Sequence, residues 1–317
     1  MKTLRNTIII CSMLFLIFVE QGYGQRGREV MFTHFMVNSQ AINPAYVGGR
    51  EAMTLTSLNR SQWTMLFDKP PALQSFSMHT PARRTPMGFG VAFQNERIGP
   101  ERITTVEGDI AYTVPVSRHS TLSFGIKGGI SMFYVPLTSL IIDDPSDPLF
   151  ASDIESLWLP NFGFGMYYRS EHLYVGVSIP KLLRTNPFTN QLYAGAKPAL
   201  TERTYYLIAG GFLSINVDID ILPSAIFRYL PGGEYSAGVG TNVMFYDKFM
   251  LGGAYRYNEA MGFMAGVYIY NHLMVSYSFD WGIKDPAHNY NSGTHEIMLR
   301  YDLFFLDSHK ERTKRPF

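Results

Sequence analysis

The stretch from Val106 to Tyr134 constrains this chain more than any other. Val106, Gly108, Ile110, Tyr112 and Val114 alternate with Glu107, Asp109, Ala111 and Thr113. After a break at Pro115–His119, Leu122, Phe124, Ile126, Gly128, Ile130, Met132 and Tyr134 alternate with Ser123, Gly125, Lys127, Gly129 and Ser131. Successive side chains on a strand point to opposite faces, so this is a hairpin of two long strands with one apolar and one polar face. The polar face carries ionisable groups in mid-strand. A soluble sandwich buries the apolar face and wets the polar one, whereas a membrane barrel turns the apolar face to lipid and the polar face to its lumen.

The rest of the chain repeats the unit. Alternation predicts strands over about 52–60, 72–80, 87–95, 104–114, 120–134, 160–169, 172–179, 203–213, 217–229, 234–245, 248–257, 260–270, 272–280 and 294–304. That makes an even number, as single-chain bacterial barrels have. Tight turns at Ser170-Glu171, Tyr246-Asp247 and Asn271 alternate with long connections at 61–71, 135–159, 180–202 and 281–293, although two connections on the long side, Pro231-Gly232-Gly233 and Asn258-Glu259, are short. Short periplasmic turns and longer outer loops are the expected asymmetry, and it puts both chain ends on the periplasmic side. Mean hydropathy is −0.03 and aromatic residues make up 15%. After residue 24 no apolar run is long enough for a spanning helix, and alternation averages the hydropathy of a barrel away. The fold expected is all-β: a transmembrane antiparallel barrel of about 14 strands over 51–305, in one domain.

The first residues point to export. Lys2 and Arg5 precede an apolar run from Ile8 to Val19, and Gly22-Tyr23-Gly24 supplies small residues at the cleavage-determining positions. This reads as a signal peptide over 1–24, too short for a spanning helix. Taking Lys2, Arg5 and Glu20 from 27 basic and 26 acidic residues leaves 25 of each, so no net field draws the chain to nucleic acid. The single cysteine, Cys11, lies in the removed segment, which excludes disulfides and cysteine-based metal, redox or nucleophile chemistry. At the other end, Asp307–Phe317 carries Lys310, Arg312, Lys314 and Arg315 and reads as a basic periplasmic tail over 306–317.

Residues 25–50 do not alternate. Their Asn-Pro and Gly-Gly steps mark an irregular segment, and Phe32, Phe35, Met36, Ile42 and Tyr46 would lie exposed unless the segment folds against or into the lumen. Within it, Phe35-Met36-Val37-Asn38 and Ala41-Ile42-Asn43-Pro44-Ala45-Tyr46-Val47-Gly48 resemble the opening motif of the PorP/SprF family, outer-membrane proteins of the type IX secretion and gliding machinery of Bacteroidetes. Arg60-Ser61-Gln62-Trp63, Ser77-Met78-His79-Thr80-Pro81, Glu96-Arg97-Ile98-Gly99-Pro100 and Tyr174–Leu183 extend the resemblance in order to about residue 304. Asn38, Asn43, Pro44, Ala45, Tyr46 and Gly48 carry the family motif; Val37, Ser39 and Gln40 depart from it. The resemblance implies a non-enzymatic barrel needed for export or surface retention of particular secreted proteins. Its implied partners are outer-membrane lipid, secreted proteins with a C-terminal targeting domain, and periplasmic secretion components.

Catalytic and metal signatures are missing from the sequence. There is no G-x-S-x-G, no H-E-x-x-H and no phosphate-cradling G-x-x-x-x-G-K, so no catalytic residue, metal ligand or cofactor is expected. Asp143-Asp144-Pro145-Ser146-Asp147 offers oxygen ligands for calcium, but its spacing matches no known calcium loop. The polar parity of the strands groups Glu107, Asp109, Lys127, Arg169, Asp218, Asp220, Arg228, Arg256, Glu296 and Arg300 as a candidate lumen network. Trp63, Phe67, Leu140, Ile141, Leu149, Phe150, Trp158, Leu182, Phe188 and Trp281 fall in the long connections as candidate partner-binding anchors. A channel or hydrophobic-solute transporter is the alternative function, and it would need an open lumen.

Overall fold

The computed structural model describes residues 32–50, 52–64, 70–140, 152–183, 203–231, 234–270, 272–283 and 293–304. The strands are β1 (Ala52–Ser61), β2 (Ala72–Pro81), β3 (Met87–Ile98), β4 (Glu101–Ser117), β5 (Ser120–Val135), β6 (Ile154–Ser170), β7 (Leu173–Ile179), β8 (Tyr205–Gly211), β9 (Leu213–Ser214), β10 (Ile219–Leu230), β11 (Glu234–Phe245), β12 (Phe249–Arg256), β13 (Ala260–Ile269), β14 (Leu273–Gly282) and β15 (Thr294–Phe304). Both β8 and β9 pair with β10, so they are one strand interrupted at Phe212 and the wall has fourteen staves. Each strand pairs antiparallel with its sequence neighbour, and β1 pairs with β15 from Ala52↔Phe304 to Ser61↔His295, which closes the barrel. Closure gives each of these staves a paired neighbour on both sides.

The alternation that forms these strands also sorts the two faces, and it sorts them inside out. On β4, Val106, Ile110 and Tyr112 are exposed on the outer surface while Glu107 and Asp109 are buried. On β5, Phe124 and Ile126 face out while Lys127 is 3% exposed. The same holds on β3 and β15, where Phe89, Val91, Phe93, Ile297, Leu299 and Tyr301 are outward. Leaving such side chains in water costs roughly 1.5–3 kcal/mol each, so the apolar exterior requires lipid around it. The lumen holds the polar parity.

The two barrel ends differ. At one end the turns are tight, as at Arg118-His119 and at Tyr246-Asp247, where both residues have positive φ (54° and 52°) as a hairpin turn twisting with its strands demands. The long connections leave from the other end. There β4, β5 and β6 are 16 or 17 residues long, whereas β7 and β8 have seven each, so the wall is uneven in height. β6 starts at Ile154, before the expected residue 160, because Leu157–Leu159 continue its ladder with Ser131–Phe133.

Candidate functional site

Residues 32–50 lie inside the barrel and run through it. Two short 3-10 turns, Ser39–Ala41 and Pro44–Tyr46, shape the segment. Asn43 caps the second: its Oδ1 accepts from the Ala45 N–H at 2.9 Å, with Pro44 at the first position, where no backbone donor is needed. Two glycines let the segment approach the wall. A Cβ on Gly125 would overlap the Pro44–Ala45 peptide, and Gly48, with φ +74°, packs on Gly88. The family motif therefore describes a turn and its seat in the wall.

Polar side chains anchor the segment at four levels. At the long-loop end, Thr33 Oγ1 donates to Asp280 Oδ1 at 2.6 Å, and the His34 N–H donates to Glu296 Oε1 at 3.1 Å. His34 Nδ1 pairs with the same carboxylate, and its Nε2 bonds Ser276 Oγ at 2.9 Å. Arg60 holds both acids, donating to Glu296 Oε2 at 2.9 Å and to Asp280 Oδ2 at 3.1 Å, and Arg256 donates to Asp280 Oδ2 at 2.8 Å. Nearer the middle, Gln40 Nε2 donates to Asp109 Oδ2 at 3.1 Å, while Lys127 bridges Glu107 at 2.7 Å and Asp109 at 3.7 Å. Below them, Asn43 Nδ2 donates to the Met166 carbonyl at 2.9 Å, and Ser178 Oγ donates to the Ile42 carbonyl at 2.9 Å. At the short-turn end, Arg169 donates to the Gly49 carbonyl, and Arg50 pairs with Asp302 at 3.0 Å.

Apolar packing fills the space between. Phe35, Met36, Val37 and Ile42 share a core with wall residues that include Met244, Met250, Met264, Met274 and Met298. Unbranched thioether side chains fill the irregular gap between a coiled segment and a curved wall. Tyr46 meets His79 edge-on at 5.3 Å and Tyr167 at 5.6 Å, and Tyr167 stacks on Tyr174. A cavity at the long-loop end is floored by Phe32, Ala41 and Ile42 and walled in part by Glu96, Glu107 and Lys181.

The structure brings Glu107, Asp109 and Lys127 together as one group, and Arg228, Arg256 and Glu296 lie near one another through Glu259 and Asp280. Arg300 belongs to a separate group at the short-turn end, with Asp302 and Tyr268. Asp218 and Asp220 are not lumen residues. Asp218 lies exposed in the turn before β10, and Asp220 accepts from Ser214 Oγ at the exposed rim at 2.6 Å. Strand parity gives the side of a wall but not the height, and these two sit at its edge. Trp158 and Trp281 are not loop anchors either. They stand 60% and 49% exposed on the outer face of β6 and β14 near the long-loop end, where indole rings sit at a membrane interface. Trp63 and Leu140 are half-buried in loops. Phe67, Ile141, Leu149, Phe150, Phe188, the acidic 143–147 loop, the leader and the basic tail lie outside the described residues.

Both chain ends were expected at the short-turn end, yet Phe32 lies at the other. Nineteen residues reach at most roughly 60–70 Å when extended, ample to cross a lumen about 30 Å tall even when folded into turns. Thr33, His34, Gln40, Arg60, Asp280 and Asp302 also belong to the network, beyond the residues singled out from the sequence. The wall residues among them share the polar parity of their strands, which was the available signal.

Fold and site together define a closed transmembrane β-barrel whose lumen is packed by its own amino-terminal segment. Residues 24–301 match the family described as type IX secretion system membrane protein PorP/SprF, and the chain belongs to that family. With that membership and the barrel fold, it is an outer-membrane protein of the type IX secretion system. No curated protein shows significant similarity to it. Among solved structures it is similar in fold to the toluene transporter TbuX of Ralstonia pickettii, with a TM-score of 0.50, 10% identity, and 84% of this chain and 93% of that one covered. The monoaromatic hydrocarbon channel CymD gives 0.50 and 11%, covering 87% and 93%. The deltaS2S3 mutant of the monoaromatic hydrocarbon channel TodX gives 0.52 and 8%, covering 87% and 95%.

Proposed function

We propose that this barrel is a non-enzymatic accessory of the secretion system that retains or helps display particular secreted proteins, through their C-terminal targeting domains, at the cell surface. The single observation that carries the reading is the lumen: the segment 32–50 is bonded to the wall at every level, on strands that include β4, β6, β7, β14 and β15. A porin needs a wet, unobstructed path, and a filled barrel is suited instead to presenting its rims and loops to other proteins. Family membership supports the same reading. The fold likeness to hydrocarbon channels favours the alternative of solute transport, but at about a tenth identity it speaks to the fold alone. Export by a cleaved leader ending at Gly24 belongs to this proposal, as does contact of the basic tail with periplasmic components. The test pairs two measurements. A deletion strain is expected to lose surface display of one or a few proteins, restored by the intact gene. Purified protein in a planar bilayer is expected to pass little steady current. Normal display together with large open-channel currents would overturn the reading in favour of transport.

A further inference from the structure

The outer face of β2 to β6 changes character towards the long-loop end, and the register shows where. Phe76, Phe93, Val106, Ile130 and Pro160 stand opposite one another across these five strands as one apolar row on the lipid side. Two residues further along, Asn95, Thr104, Met132 and Trp158 form the next row, in which Thr104 Oγ1 donates to Asn95 Oδ1 at 3.4 Å. Two further still, Arg97 stands directly opposite Arg102, and Arg102 opposite Tyr134. Arg97 shares the outward parity of Phe89, Val91 and Phe93, and Arg102 that of Val106 and Ile110. Four residues at about 3.4 Å each, on strands tilted by about 40°, raise the two arginines roughly 10 Å above the Phe93–Val106 row. That height lies in the headgroup layer, just above the Trp158 indole. With short turns on the periplasmic side, the layer belongs to the outer leaflet.

We propose that Arg97 and Arg102 bind the phosphate of an outer-leaflet glycolipid of the lipid A type, whose acyl chains lie along the apolar row beneath them. Residues directly opposite on a sheet have Cβ atoms about 4.5–5.5 Å apart, and like charges so placed repel. A phosphate between the two turns that repulsion into attraction, and the guanidinium fork matches its oxygens in geometry. Arg102 is exposed and has no hydrogen bond or ion pair with the described residues. Arg97 donates from Nη2 to the Pro70 carbonyl at 3.3 Å, which steadies its guanidinium, and its buried Nε has no acceptor among the described residues. The acidic neighbours are engaged or turned away. Glu96 and Glu101 have the opposite parity, on the lumen side. Asp153, which accepts from the Tyr134 hydroxyl at 3.3 Å, is bonded to the Thr138 N–H and hydroxyl. A free phosphate would make no use of the apolar row, so a lipid is the ligand this surface fits.

Purified barrels with the folded mobility of unboiled samples are to be mixed in detergent with bisphosphorylated lipid A, with the same lipid stripped of its phosphates, or with inorganic phosphate. Bound lipid is read by native mass spectrometry. The expected result is an adduct of bisphosphorylated lipid A on the parent protein. It is expected to fall by about tenfold or more in Arg97→Gln/Arg102→Gln and to be unchanged in Arg118→Gln, at the exposed short-turn end. Unfolding temperature gives a second readout with Arg102→Gln alone. Without lipid this variant is expected to match or exceed the parent, because a like-charged pair is removed. With bisphosphorylated lipid A the parent is expected to gain stability that the variant does not. Equal adducts on the parent and the double variant, or equal retention of the phosphate-free lipid, would overturn the assignment. So would a loss of stability in lipid-free Arg102→Gln, or equal stabilisation of the parent by inorganic phosphate, which would make the ligand a free anion.

Discussion

Removing the Arg60 guanidinium is expected to release the top of the internal segment. Arg60 is 2% exposed and donates to two buried carboxylates, Glu296 at 2.9 Å and Asp280 at 3.1 Å. In Arg60→Met the shape of the stem is largely kept, but two acids lose a cation. Asp280 retains Arg256 at 2.8 Å and Thr33, whereas Glu296 is left with His34 and backbone donors. Breaking a buried pair by removing one partner costs about 3–5 kcal/mol. Because Glu296 and Asp280 both bond residues 33–34, that cost falls on the docked state of the segment. At about 1.4 kcal/mol per tenfold, undocking becomes more frequent by on the order of a hundredfold to a thousandfold. Val37 is 4% exposed and its N–H is bonded to the His34 carbonyl, so Val37→Cys reports undocking by its rate of reaction with a small thiol reagent. The rate in the Arg60→Met background is expected to rise by at least about a hundredfold over Val37→Cys alone, in line with the cost of the broken pair. Equal rates within a factor of about two would refute the claim that this ionic group pins the segment.

Three further outcomes are expected. Gly125→Ala places a Cβ on the Pro44–Ala45 peptide and is expected to destabilise the folded gel form by about 1–3 kcal/mol. Gly128→Ala, whose Cβ would meet only the Phe162 ring at 3.8 Å, is expected to leave the same gel transition in place. Lys127→Met strands Glu107 and Asp109 beside each other and is expected to lower the unfolding temperature in detergent, with partial recovery in Lys127→Met/Glu107→Gln. Hydrogen bonds from the Thr138 backbone and hydroxyl hold the Asp153 carboxyl below its ordinary value of 3.8. That contact is therefore present above this value and fades as pH falls below it, read as loss of exchange protection at the Thr138 amide.

The wall was legible in the sequence because its rule is local. Alternation at Val106–Val114 or His295–Asp302 fixes which side chains face lipid, and no distant partner is needed to read it. Heights were less legible: Trp158 belongs to β6 only because Ile154–Leu159 find partners on β5, and Asp218 falls off the end of β10. The inner site was hardest. His34 and Glu296 are 262 positions apart, and Gln40 and Asp109 are 69 apart, so nothing near either member announces the pairing. The apolar content of 32–46 suggested burial in the lumen, but not which end the segment enters.

The central claim is that residues 32–50 pack the lumen, and a disulfide tests it most directly. A Cβ on Gly90 would lie 2.8 Å from Val47 Cγ1, so the two Cβ atoms are at most about 4.3 Å apart, below the upper limit of about 4.5 Å that a disulfide bridges. The double variant Val47→Cys/Gly90→Cys, oxidised in native membranes and then cut by protease between the two positions, is expected to run as one species without reductant and as two with it. Two separate fragments without reductant, from barrels that show the folded gel mobility, would contradict the account.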